Sequence, residues 1–340
     1  MRENLSLLLA PLTFPYYLGY LAHRRLTAPR KFDCPVVSVG NITWGGSGKT
    51  PTVIKLAEDF LAAGRKVAVL SRGYAGKSSS GSSPLCVSDG NSIKASPEEA
   101  GDEPYLMAEK IGKAVILAGK NRAASAAAAI KDYGADVLIL DDGFQRWDMA
   151  RDLDIVCVDA RNPFGNGLLI PAGILREPLS ALGRAGLVAL TNIDQISAEE
   201  ADTLKKIISQ RTSAPVVTAR HAPSGTKNVF TGEMRDIAAA REVVGFSGIG
   251  NNQGFKKTLA AMAGGLKRFY PFADHRWYCE KDIFKMLGEN PSAIFVTTLK
   301  DAVRFATFRS LPREKFFYAD VNFEIVEGEN AWREKLKPLF

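Results

Sequence analysis

Residues 36–51 read VVSVGNITWGGSGKTP. Val36, Val37 and Val39 form a short β-branched run, which predicts a buried strand. The chain then passes through Gly45, Gly46, Ser47 and Gly48 into Lys49 and Thr50. Glycines without a Cβ can turn successive backbone N–H groups inward around an anion, so this turn predicts a phosphate cradle. The segment TVIKLAEDFLAA at 52–63 places Val53, Leu56, Ala57, Phe60 and Leu61 on one helical face. Pro51 suits the first turn of that helix, where its missing N–H goes unused. The positive end of the helix then faces the phosphate. In this pattern Lys49 reaches the β- and γ-phosphates and Thr50 offers a hydroxyl to Mg2+. The spacing is a variant of the common one: the position five before Gly48 is Thr43, and the glycines are packed later.

Outward from this stretch, apolar runs at 66–70, 114–118, 137–140, 154–158 and 187–191 alternate with helical segments such as the alanine-rich 121–130. Strands alternating with helices through short crossovers predict a parallel sheet covered on both faces. The expected fold class is therefore α/β, a phosphate-loop NTPase-like parallel sheet sandwiched by helices, with a second, smaller α/β domain. The polar, turn-rich stretch around 213–232 marks the boundary. The expected division is an N-terminal membrane-associating segment at 1–30, a phosphate-loop domain at 31–215, and a smaller C-terminal α/β domain with its linker at 216–340.

The run VLIL at 137–140 ends in Asp141-Asp142-Gly143. An apolar strand ending in acid beside a phosphate loop supplies hard oxygen ligands for Mg2+ or its water shell; without that context it reads as a turn. Asp102 and Glu103 open a helix, where carboxylates ordinarily complement the dipole. Glu177 stands beside Arg176, for which an exposed ion pair is the ordinary explanation. His275 lies among aromatics in YPFADHRWY, a setting that also suits a structural histidine. The stretch FSGIGNN at 246–252 lacks the spacing of a dinucleotide fingerprint.

Among 340 residues, 46% are hydrophobic and 24% charged, the balance of a globular chain that buries a core. The net charge of +7 favours anionic partners. No long basic run interleaved with aromatics is present, so no nucleic-acid partner is expected. Cys34, Cys86, Cys157 and Cys279 are far apart, indicating neither zinc site nor disulfide framework and fitting a reducing cytoplasm. The uncharged run LSLLLAPLTFPYYLGYLA at 5–22 is followed by His23, Arg24, Arg25, Arg30 and Lys31. Pro11 and Pro15 disfavour a spanning helix in a run of barely sufficient length. An interfacial anchor remains, with Tyr16, Tyr17 and Tyr20 at headgroup level and the arginines on anionic lipid. The other reading is short helices packed on the protein's own core.

Taken in order, SVGNITWGGSGKTP, LSRGY, GDEP, LILDDGFQ followed by RDLDIV, LIPAGILREP, FSGIGN and FADHRWY resemble the tetraacyldisaccharide 4'-kinase family, the lipid A 4'-kinases of Gram-negative bacteria. The resemblance implies ATP-dependent phosphorylation of the 4'-hydroxyl of an acylated glucosamine disaccharide 1-phosphate. It places the protein at the cytoplasmic face of the inner membrane, with the anionic membrane surface as a partner and no protein partner identifiable. By the same resemblance, Lys49 and Thr50 serve ATP, and Asp141, Asp142 and Glu177 surround Mg2+. Asp102 becomes the base, assisted by His275. The chain departs from the family in having Arg146 after Asp-Asp-Gly-Phe-Gln and Arg276 after His275, where the family usually has histidine. A rival class is a regulatory or partitioning phosphate-loop ATPase that switches protein or membrane partners.

Overall fold

The computed structural model describes residue 6 and residues 8–73, 83–274, 276–306, 308 and 310–340. It divides into two compact units. The first takes in the described residues up to Arg220 together with Phe323–Phe340, and the second is His221–Asn322.

In chain order the first unit begins with helix α1 (Thr13–Leu26), preceded by a 3-10 turn at Ala10–Leu12. Strand β1 (Val36–Gly40), helix α2 (Lys49–Ala62) and strands β2 (Val67–Ser71) and β3 (Leu85–Asp89) follow. Then come α3 (Pro97–Ala100), α4 (Asp102–Ile111), β4 (Val115–Ala118), α5 (Arg122–Tyr133), β5 (Val137–Asp141), β6 (Leu153–Asp159), β7 (Leu187–Thr191) and α6 (Ala198–Ser209). Strand β8 (Val216–Asn228) carries the chain into the second unit. There β9 (Met234–Arg235), β10 (Val243–Ser247), α7 (Asn252–Ala263), β11 (Arg268–Pro271), α8 (Glu280–Glu289), β12 (Ile294–Thr298), α9 (Leu299–Ala302) and β13 (Phe316–Glu327) succeed one another. Helix α10 (Glu329–Leu336) closes the chain within the first unit.

In the first unit the strand order is β8-β7-β6-β1-β5-β2-β4-β3. Every pairing along it is parallel except that of β3 with β4. The period of two sorts the side chains. Val37, Val39, Val67, Val69 and Ile139 face a core shared with Val53, Leu56, Ala57 and Phe60 of α2 and Met107 and Ala108 of α4. Ala68, Leu70, Leu138 and Leu140 face the other side, onto Ala126 and Ala129 of α5. Both faces are thus covered, as continuous apolar strands require. Because β1, β2, β4, β5, β6 and β7 are parallel, their carboxyl ends share one edge, where ligands of open α/β sheets bind. The second unit pairs β11, β10, β12 and β13 in parallel around Phe246, Phe295, Phe305 and Phe316.

Two expectations about organisation change. The polar stretch HAPSGTKN is part of β8 rather than a linker, and the division falls at Arg220 and His221 rather than 215 and 216. The C-terminal residues from Phe323 onward belong to the first unit, where Trp332 and Leu336 enter the α2 core. The N-terminal reading is refined as well. No described helix is long and apolar enough to cross a membrane. No residue of α1 is fully buried, yet Tyr16 and Tyr20 turn their hydroxyls onto the first unit's own 176–177 backbone and side chain.

Candidate active site

The phosphate loop occupies residues 41–48, between β1 and α2. Gly48 caps α2 in the left-handed region at φ 78°, and a Cβ there would stand 2.9 Å from Thr191 Cγ2. Thr191, at the end of β7, donates its hydroxyl to the Ser47 carbonyl at 3.1 Å. Asn41 Nδ2 donates to Ser47 Oγ at 2.8 Å, closing the loop from within. Gly45 and Gly46 face open space. The loop's far side is held by the segment 169–178: Trp44 N donates to Ile174 O at 2.6 Å, and Arg176 N to Ile42 O at 2.7 Å.

Asp141 ends β5 and is buried, accepting from Ser71 Oγ at 2.8 Å. Burial, with the charges of Glu103 and Asp142 beside it, pushes its carboxyl up to about 6. Asp142 follows in the left-handed region at φ 53°. Arg176 Nη1 lies 3.0 and 2.9 Å from its two oxygens, and Lys49 Nζ 3.6 Å from Oδ1. Burial raises the Asp142 pKa, but Lys49 and Arg176 outweigh it and hold the group below the usual carboxylate value.

Asp102 is buried at the first position of α4, accepting from Glu103 N at 2.9 Å. Its neighbour Glu103 acts on Asp141 through space, so this helix start lies beside the β5 end. The structure therefore brings together Gly45, Gly46, Ser47, Gly48, Lys49, Thr50, Asp141 and Asp142, with Asp102 at the adjoining helix start.

Glu177 differs from its expected setting. It is fully buried, and the ordinary alternative of an exposed pair with Arg176 does not hold. Its oxygens accept from Tyr20 Oη at 2.8 Å and Gln145 Nε2 at 2.7 Å, and Arg184 Nη1 approaches at 2.8 Å. A metal ion would have to take the place of one of these partners. Arg146 pairs with Asp148 at 2.6 Å, and Arg276 with Asp282 at 2.8 Å, so each arginine replacing a family histidine has a carboxylate of its own. His275 lies outside the described residues.

Sequence reasoning missed the arginines. Arg122 is buried beneath the β5 end with Nη2 3.5 Å from the Asp141 carbonyl, and burial lowers its pKa to about 10. Only its place after a helix-capping Asn121, in the loop beyond β4, could have signalled it.

The residues fit a divalent cation. Among the described residues no three His, Cys, Asp or Glu side chains form a ready-made cage. Mg2+ does not ask for one, since it takes one or two carboxylates and completes its shell with phosphate oxygens and water. Asp141 and Asp142 at the end of β5 supply the two carboxylates, with Glu103 close enough to add its charge.

A parallel α/β unit with a phosphate loop at the end of its central strand, facing an aspartate pair at the end of the next, defines a phosphate-loop nucleotide-binding protein. The sequence model of the tetraacyldisaccharide-1-P 4'-kinase family matches residues 5–340, and the chain belongs to that family. A tetraacyldisaccharide 4'-kinase of Anaeromyxobacter sp. (strain Fw109-5) is 39% identical over 94% of this chain and 86% of its own. That of Halothermothrix orenii is 38% identical over 84% of this chain and 78% of its own. The crystal structure of LpxK from Aquifex aeolicus in complex with ATP matches with a TM-score of 0.80 at 30% identity, covering 99% of each chain.

Proposed function

We propose that this protein transfers the γ-phosphoryl group of Mg-ATP to the 4'-hydroxyl of a tetraacyl disaccharide 1-phosphate, a step of lipid A biosynthesis. The observation that carries the reading is the meeting of Lys49, Asp142 and Arg176 at the mouth of the phosphate loop, in a chain that matches the kinase family nearly throughout. Mg2+ held at this site would supply positive charge against the negative charge that builds on the transferred phosphoryl group. Thr50, Asp141 and Asp142 are assigned to hold it, and Glu177 joins them only where Tyr20 or Gln145 gives way.

The backbone N–H groups of Gly45 to Gly48 orient the phosphates. Lys49, now facing Asp142, swings its ammonium to the γ-phosphate. Asp102 accepts the proton of the sugar hydroxyl. It stands in the first turn of α4, at the positive end of that helix, and a loose transition state asks for the hydroxyl proton only late. His275 is assigned to assist Asp102.

Exposed Leu8, Leu12, Phe14, Leu18 and Leu21 on the N-terminal segment, followed by Arg24 and Arg25, support seating on the anionic cytoplasmic face of the inner membrane. No feature of the described residues identifies a protein partner.

Incubation with γ-labelled ATP, Mg2+ and the acylated disaccharide 1-phosphate is expected to place label in the extracted lipid. Label appearing only as inorganic phosphate would instead support the partitioning-ATPase class. The Asp102→Asn variant is expected to lose roughly 100-fold or more in kcat while binding ATP as before. Near-normal turnover would remove Asp102 from the mechanism.

A further inference from the structure

In the second unit the ion pair of Asp301 with Arg304 is completely buried. The two residues lie on and just beyond α9 and meet at 3.0 Å, with no exposed side-chain surface. Phe246, Phe305 and Phe316 make the surrounding core apolar, and a buried pair in such a core gains little over well-packed apolar residues. What it supplies here is a set of directed bonds. Asp301 Oδ1 accepts from Gly248 N at 3.0 Å and from Tyr278 Oη at 2.9 Å, while Oδ2 accepts from Thr298 Oγ1 at 2.7 Å. Arg304 Nη1 donates to the Gly248 carbonyl at 3.0 Å and lies 3.4 Å from the Arg276 carbonyl.

These partners converge from separate strands. Ser247 ends β10, Pro271 ends β11 and Thr298 ends β12, and the three strands are parallel. The loop after β10, the segment after β11 and α9 therefore leave one sheet edge, the edge at which open α/β sheets bind ligands. Gly248 is the tightest point. A Cβ there would stand 3.0 Å from the Ala273 carbonyl oxygen and 3.3 Å from Arg276 Cβ. Arg276 N donates to that same Ala273 carbonyl at 3.2 Å, and Phe272 N donates to Ser247 O at 2.8 Å. Residues on both sides of His275 in the chain are thus fixed against the FSGIGNN stretch, whose spacing matches no dinucleotide fingerprint.

We propose that Asp301 and Arg304, acting through Gly248, are positioning residues for the 273–276 segment and set the rate of phosphoryl transfer through His275, an assignment that rests on the role given to His275 above. An Asp–Arg pair adds no net charge, so its contribution is geometric. Misplacing a catalytic group by about 1 Å can cost roughly 100-fold in rate. Gly248 is the hinge of the argument because both ends of its peptide unit are held by the pair, the N–H by Asp301 and the carbonyl by Arg304.

The test measures kcat and both KM values, with γ-labelled ATP and the acylated disaccharide 1-phosphate, for wild type, Gly248→Ala, Arg304→Lys and His275→Ala, and for each of the first two changes combined with His275→Ala. Gly248→Ala keeps the ion pair and crowds the Ala273 carbonyl, the Tyr278 hydroxyl and Arg276. Arg304→Lys keeps the charge and loses the planar fork. Each is expected to lower kcat roughly ten-fold with both KM values unchanged, and neither to lower it further once His275 is alanine. A purely structural role would depress kcat by the same factor with or without His275, by reducing the folded fraction, and that result overturns the proposal. Wild-type kcat in both folded single variants overturns it too. Where one of the two fails to fold, the other decides by the same comparison. If His275→Ala keeps wild-type kcat, the role of His275 falls and the positioning role with it, while the kinase reading stands. Only the absence of labelled lipid with wild type removes that reading as well.

Discussion

Gly48 meets two demands that a residue with a Cβ cannot meet together. Its backbone is left-handed at φ 78°, and the space where a Cβ would project is already filled by Thr191. The left-handed region costs an L-residue roughly 1–2 kcal/mol, and Thr191 cannot retreat without releasing the Ser47 carbonyl. Gly48→Ala is therefore expected to weaken ATP binding about ten-fold or more by calorimetric titration, with the far-ultraviolet dichroism unchanged. Undiminished affinity would show that the loop does not need this backbone. At this scale the sequence was readable where chemistry and position coincide. Lys49 and Thr50 follow the glycines directly, and Asp141 and Asp142 follow an apolar strand. Arg176 was not readable, because its carboxylate lies 34 residues away and not at its neighbour Glu177. Glu177 and Arg184 were hidden for the same reason: a guanidinium finds its partner through the fold, and spacing along the chain carries no trace of it.

Helix α1 is attached by hydroxyl groups rather than by buried apolar side chains. Tyr16 donates to the Arg176 carbonyl and Tyr20 to the Glu177 carboxylate, both at 2.8 Å. Tyr20→Phe leaves a buried acceptor one donor short, which costs about 1 kcal/mol and should lower the melting temperature. Tyr17, which stacks on Tyr20 at 5.9 Å, serves as the control, and Tyr17→Phe should melt like wild type. Equal melting of both variants would detach α1 from the 176–177 segment.

Helix α8 supplies a pH prediction. Burial opposes ionisation of Asp282, but Arg276 at 2.8 Å and the Cys279 N–H at 3.2 Å prevail and hold it below its ordinary 3.8. A depressed carboxylate contributes stability that is present above the unfolded pKa and lost as pH falls through the folded one. The gap in urea midpoint between wild type and Asp282→Asn should therefore narrow as the pH falls from above the ordinary 3.8 to below it. A constant gap would refute the linkage. Elements were legible where they are fully buried and mostly apolar, as in β1, β5 and β7. Strands β3 (LCVSD) and β13 (FFYADVNFEIVE) were not, since edge placement or partial exposure admits polar residues that mask the pattern. In α10, ENAWREKL, only Trp332 and Leu336 face inward, too few to give a readable stripe.

Across the whole molecule, the second unit is an insertion within the first, entered along β8 and left along β13. No local signal in the sequence announces such a return, because it depends on contacts between segments far apart in the chain. The consequence is that the last residues stabilise the first unit. Trp332 is 1% exposed in the core that holds Val53, Leu56 and Phe60, and its Nε1 donates to Asp59 Oδ2 at 2.8 Å on α2. Helix α2 begins at the phosphate loop, so the C-terminal tryptophan braces the element that presents Lys49. Trp332→Ala removes a large buried side chain and is expected to cost about 3–5 kcal/mol. Trp332→Phe keeps most of the packing and loses the hydrogen bond, at a cost nearer 1 kcal/mol plus the smaller volume lost. Asp59 retains Lys55 at 2.6 Å in both variants, so no unpaired buried charge confuses the comparison. Urea unfolding of the full chain, followed through loss of bound nucleotide analogue, should show Trp332→Ala far less stable and Trp332→Phe between it and wild type. If ATP binding survived to the wild-type urea midpoint in Trp332→Ala, the C-terminal helix would be an appendage and not part of the nucleotide unit's core.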